Sequence, residues 1–241
     1  MNPLNLLHVR ETFIEHKNLP FLKRATRAFT SRGTERTKVQ PTPSLEETYD
    51  HLLILVDKQN AIPENYVPQD LVSLRSYGIP TLGVDMLLRK EAAEHLSQLV
   101  VAANAAGEKL IVTSAYRSFQ DQQAVFARIA FVYEGEANKH SALPGQSQHQ
   151  LGTTVDFTSE AANYRLWTSF ENATAARWLL EHASDYGFVL SYPKGGEAET
   201  GYEAEPWHYR YIGVENARHM RDCDLSLHAF LLREGILPRR D

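Results

Sequence analysis

A single cysteine, Cys223, in 241 residues excludes both an internal disulfide framework and a cysteine-based zinc module. No run of residues approaches the ~18 consecutive apolar positions that a membrane-spanning helix requires. Thirteen glycines and eleven prolines are too few, and too irregularly placed, for a collagen-like or globally disordered chain. H-E-x-x-H is missing, which removes the commonest metalloprotease helix, and so is the G-x-S-x-G nucleophile elbow. A formal net charge of -5 speaks against a nucleic-acid binder. Met1 to Arg10 lacks a basic stretch followed by an apolar one, so no signal peptide is read there. What is present, 43% apolar and 23% charged residues, is enough to build one good core without staples.

Charge is unevenly spread. Residues 1–40 carry a balance of +5, with Lys23, Arg24, Arg27, Arg32, Arg36 and Lys38 set among Ser and Thr, and the rest of the chain carries -10. Residues 1–44 therefore read as a basic, solvated extension ending in the linker Pro41-Thr42-Pro43-Ser44, with contact to an anionic surface as the sharper alternative. Residues 45–241 read as one catalytic-size domain. Leu52 to Val56 looks like a short buried strand, and apolar spacing from Met86 to Ala106 predicts a helix ended by Gly107. Further strands are expected at Leu110–Val112, Thr153–Phe157, Phe188–Leu190 and Trp207–Ile212. Helices should open at Ser118 and at Asn172, and two more should close the chain after Val214 and Leu225. Residues 133–150 are polar and read as a long loop. Hairpin-like spacing of the late strands favours an α+β fold with a small, mainly antiparallel sheet flanked by helices.

Of ten histidines, two have neighbours that suggest chemistry. His149 precedes Asp156 by seven residues, an odd spacing that would put them on opposite faces of one strand. They can converge only if His149 lies on the loop, with Gly152 permitting the bend. His208 sits in Glu205-Pro206-Trp207-His208-Tyr209-Arg210-Tyr211, where alternation puts Trp207, Tyr209 and Tyr211 on one face. Two imidazoles and one carboxylate are the donor set of a catalytic zinc, and Glu205 could accept the proton of water. By spacing alone, Asp156 could equally cap a turn and the aromatics could simply be core.

The local strings are more specific. Ser147/His149/Gly152/Asp156 and Glu205/Trp207/His208 resemble the S-x-H-x-x-G-x-x-x-D and E-x-W-H segments of the D-alanyl-D-alanine carboxypeptidase (VanY-like) family of zinc peptidases. Tyr116-Arg117-Ser118-Phe119 with Gln122 is similar to a third segment, and the likeness spans roughly residues 45–235 in the family's order. Thr154 and Gln148 depart from the usual alanine and glutamate without removing a ligand.

The resemblance implies one zinc ion per chain on His149, Asp156 and His208, with Glu205 as catalytic base. Arg117 would grip the substrate's terminal carboxylate, for which a guanidinium fork is suited, and Gln122 and Ser147 would hydrogen-bond substrate. The implied activity is removal of the C-terminal D-alanine from peptidoglycan stem peptides by metal-activated water, with D-Ala-D-Ala (D,D-carboxypeptidase) as leading substrate. An L,D-carboxypeptidase acting on tetrapeptide stems and an endolysin-like peptidase are the neighbouring readings. A non-catalytic metal-site binding protein is the reading from a different class. The substrate implies a place outside the cytoplasm, in the periplasm or cell wall, although the chain shows no export signal.

Overall fold

The computed structural model describes residues 44–164 and 168–237. The chain divides into two units, Met1–Pro41 and Thr42–Asp241, so the expectations for the basic extension lie outside the described residues.

In chain order the described elements are α1 (Leu45–Tyr49), β1 (Leu71–Ser73), β2 (Leu87–Arg89), α2 (Lys90–Ala105), β3 (Leu110–Ser114), α3 (Phe119–Val132) and α4 (Ala137–His140). They continue with β4 (Thr154–Ser159), α5 (Thr174–His182), β5 (Phe188–Leu190), α6 (Glu197–Thr200), β6 (His208–Tyr211), α7 (Val214–Asp222) and α8 (Leu227–Glu234). Four strands form an antiparallel sheet in the order β3-β4-β6-β5, and β1 pairs with β2 in a separate antiparallel ladder. This is the expected α+β class. No described helix is long and apolar enough to cross a membrane.

The core follows from periodicity. Ala92, Leu96, Leu99, Val100 and Ala103 of α2 are buried, as the 3.6-residue stripe requires. They pack with Val155 and Phe157 of β4, Tyr209 and Tyr211 of β6, and Leu179 of α5. Leu55, Val189 and Ile212 form a second cluster with Leu227, Phe230 and Leu231 of α8. The alternation from Trp207 to Ile212 is thus real: Tyr209 and Tyr211 enter the main core and leave His208 and Arg210 for the opposite face.

Four local expectations are corrected. Leu53–Val56 is buried, but among the described residues the run makes only an isolated parallel bridge between Ile54 and Ile236. The reason is Arg210, whose Nη2 donates to Leu52 O (2.9 Å) and Ile54 O (2.7 Å) and takes the place of a strand partner. The helix expected from Met86 begins at Lys90, because Leu87–Arg89 pairs with Ser73–Leu71. Asn172 lies in a 3₁₀ turn, and α5 starts after Ala173 without a side-chain cap. The loop at 133–150 contains α4 and the start of a 3₁₀ turn, Gln148–Leu151.

Candidate metal centre and active site

The 3₁₀ turn Gln148–Leu151 carries His149 out of the strand direction. Ser147 caps it, accepting from His149 N (3.4 Å), and Gly152 ends it at φ +67. A Cβ on Gly152 would lie 3.0 Å from both Arg89 Cγ and Leu71 Cδ2, so glycine serves both the turn and the close approach of β1 and β2. The odd spacing between His149 and Asp156 is resolved as anticipated, by placing the histidine before the strand. Asp156 and His208 are direct cross-strand partners on β4 and β6 and therefore share a face. A register shift in β3 sets Ser114 opposite Asp156.

His149 Nε2 lies 3.2 Å from Asp156 Oδ2, and His208 Nδ1 lies 3.2 Å from Asp156 Oδ1 and 3.2 Å from Glu205 Oε2. All three of His149, Asp156 and His208 are buried. The far nitrogen of each imidazole has its own partner: His149 Nδ1 faces Ala115 O at 2.7 Å, and His208 Nε2 faces Gln148 Oε1 at 3.3 Å. Each ring can donate there, which leaves the other nitrogen facing inward, the one that ligates once its proton is lost.

Asp156 Oδ1 is buried without an aligned hydrogen bond. Three inward-facing donors within 4.8 Å of one another, one of them an orphaned carboxylate oxygen, call for a cation between them. The residues present fit a zinc ion with one position left open.

Titration separates the two imidazoles: without metal His149 is neutral, whereas His208 holds a proton that a bound cation would have to displace. Burial depresses His149 to about 4, against the smaller opposing pull of Asp156, so it is neutral and able to ligate at neutral pH. Burial also works against a charged His208, but the Asp156 and Glu205 carboxylates outweigh it and push this imidazole up to about 9. Burial would raise Asp156, yet the two imidazoles hold it far below the ordinary carboxylate range.

Arg117 follows β3 in the loop leading to α3, and its backbone N–H donates to His149 O (3.2 Å). Its Nη2 donates to Ser114 Oγ (2.6 Å) and lies 4.0 Å from Asp156 Oδ2, and its Nη1 donates to Gln122 Oε1 (2.8 Å). Both amide hydrogens of Gln122 are taken, by Ser141 Oγ (3.2 Å) and Ala142 O (2.6 Å). Gln122 is thus engaged in holding Arg117 and the 141–142 wall, whereas Ser147 Oγ accepts from His149 N. Arg117, Gln122, Ser147, Glu205 and the three metal-ligand candidates all line one cleft of about 170 Å³, with Trp207, Tyr192 and His140 around them. Sequence reasoning missed the orienting roles of Ser114, Ala115 O and Gln148. Gln148 also accepts from Ser191 Oγ (2.8 Å); its only signal was its place beside His149.

Fold and site together define a hydrolase-type α+β domain whose donor set can hold one metal ion beside a further carboxylate, Glu205, and an oriented guanidinium, Arg117. The chain belongs to the D-alanyl-D-alanine carboxypeptidase (VanY) family, whose profile matches residues 85–214. YodJ of Bacillus subtilis (strain 168), provisionally named a carboxypeptidase, is 36% identical over 189 residues, or 75% of this chain and 67% of YodJ. Among solved structures, the LD-carboxypeptidase LdcB is similar at 35% identity and a TM-score of 0.69, over 76% of this chain and 87% of that one. A variant of the vancomycin-resistance D,D-pentapeptidase VanY from a VanB-type cassette, in complex with Zn(II), is similar at 31% identity and a TM-score of 0.61, over 74% and 98%.

Proposed function

We propose that this protein is a zinc-dependent peptidoglycan carboxypeptidase that removes the terminal D-alanine from stem peptides, acting outside the cytoplasm and preferring pentapeptides ending in D-Ala-D-Ala. The observation that carries this reading is the convergence of three buried, inward-facing donors with Glu205 and Arg117 in one cleft. The family and the D,D-pentapeptidase neighbour support the D,D preference.

His149, Asp156 and His208 would hold the ion; bound there, zinc would lower the pKa of water to ~7 and polarise the scissile carbonyl. Glu205, 20% exposed at the cleft, accepts the proton of the attacking water and returns it to the leaving amine as the C–N bond breaks. Arg117 uses the N–H groups not engaged by Ser114 and Gln122 to pair with the terminal carboxylate, and Ser147 donates to the substrate backbone.

Incubation of the zinc-loaded protein with defined tetrapeptide and pentapeptide muropeptides, read by mass spectrometry, tests this. The expected result is loss of one alanine from the pentapeptide and at least a ~100-fold slower reaction with Glu205→Ala. Cleavage of the tetrapeptide alone would replace D,D with L,D specificity. An undiminished rate with Glu205→Ala would overturn the mechanism.

A further inference from the structure

The outer edge of β2 touches two segments of the active site at once. In the β1–β2 ladder Leu74 N donates to Met86 O (2.9 Å) and Lys90 N to Asp70 O (3.0 Å), so alternation turns the main-chain groups of Leu87 and Arg89 away from β1. Leu87 O accepts from Tyr116 N (2.8 Å), next to Arg117, and Arg89 N donates to Gly152 O (2.7 Å), where the turn carrying His149 ends. Arg117 N donates to His149 O (3.2 Å) and closes the circuit. The Arg89 side chain reinforces the same contact. Its Cγ would lie 3.0 Å from a Cβ on Gly152, its Nε donates to Asp70 Oδ1 (2.8 Å), and its Nη1 donates to Asp50 O (2.7 Å). Those two bonds fix the stem of a side chain only 16% exposed over the turn.

We propose that Arg89 is a positioning residue for the metal centre: it locks the edge of β2 against Gly152 and so holds His149 in place beside Asp156. The inference rests on the zinc reading of His149, Asp156 and His208. Arg89, Asp70 and Asp50 do not line the cleft, so their effect passes through the turn. The Ser147 cap holds the first end of that short 3₁₀ turn. At the other end Gly152, at φ +67, has a glycine's backbone freedom, which the contact with Arg89 removes. A loose turn lets one imidazole leave the other two donors, and metal affinity falls when ligands are not held in orientation.

The test is a competitive zinc titration, with the visible spectrum of the Co(II)-loaded protein, on the full chain as wild type, Arg89→Ala, Arg89→Lys and Ser73→Ala. Ser73, at the opposite end of the same ladder, accepts from Ser76 N (3.3 Å) and donates to Asp85 Oδ2 (2.5 Å), and makes none of the contacts to Gly152. Arg89→Ala should weaken zinc binding about tenfold and shift the Co(II) bands. Arg89→Lys keeps the methylene stem and the charge beside Asp70, and its affinity should stay within about threefold of wild type. Ser73→Ala should lower the urea midpoint and leave affinity and spectrum as in wild type. Wild-type affinity and spectrum in Arg89→Ala, or an equal loss in Ser73→Ala, overturns the proposal, because the ladder then serves stability alone. Should Arg89→Ala not fold, Asp70→Asn takes its place: about threefold weaker zinc binding supports the proposal and wild-type affinity overturns it. A wild type that binds neither zinc nor Co(II) removes the underlying metal reading instead.

Discussion

His208 is the residue on which the site's charges converge. Its Nδ1 faces Asp156 and Glu205 at 3.2 Å each, and without metal the imidazole carries a proton up to about pH 9. A histidine whose folded pKa exceeds its unfolded value of about 6.5 stabilises the fold fully below pH ~6.5, and this contribution is lost as pH rises through about 9. His149, lowered to about 4, has the opposite sign: its contribution is flat above pH ~6.5 and turns unfavourable as pH falls towards 4. The Tm of the chelated protein should therefore fall on going from pH 6.5 to pH 9, and part of that slope should disappear in Glu205→Gln. Calorimetry across this window checks it; a flat Tm would contradict the protonated His208. The candidate ligands His149, Asp156 and His208 were legible from residue types and strings as a group that the fold brings together. The orienting partners Ala115 O and Gln148 were not, because a main-chain carbonyl leaves no signature in sequence and a glutamine beside a histidine has many other uses.

At the scale of elements, the turn Gln148–Gly152 is the device that delivers His149. Gly152→Ala must keep φ near +67 with a Cβ only 3.0 Å from Arg89 Cγ and Leu71 Cδ2, so it should cost about 2 kcal/mol of stability and weaken zinc binding. Denaturant unfolding together with a competitive zinc titration measures both effects; unchanged stability and affinity would mean that the turn does not set His149. Strong periodicity made α2 and the alternation of β6 readable in advance. Leu52–Val56 was misread because a buried apolar run looks alike whether its carbonyls meet a strand or a distant guanidinium. At Asn172 a good capping residue instead ends a 3₁₀ turn, and α5 begins two residues later. Tertiary partners decided each of these cases, and they lie far away in sequence.

For the whole molecule, the net charge of -5 is the sum of a basic first forty residues and a remainder of -10 that carries the cleft. The antiparallel sheet brings together residues from β3, β4 and β6 and the turns beside them, so residues between Ser114 and His208 meet at one ion-sized centre. The lone cysteine has no part in it, as a His/Asp donor set needs no thiolate. The central claim is that this centre works only when it holds its metal. The measurement that tests it most directly is pentapeptide cleavage by the full chain before chelation, after exhaustive chelation, and after addition of one equivalent of zinc. The account predicts activity lost in the second state and restored in the third; full activity in the rigorously metal-free protein would contradict it.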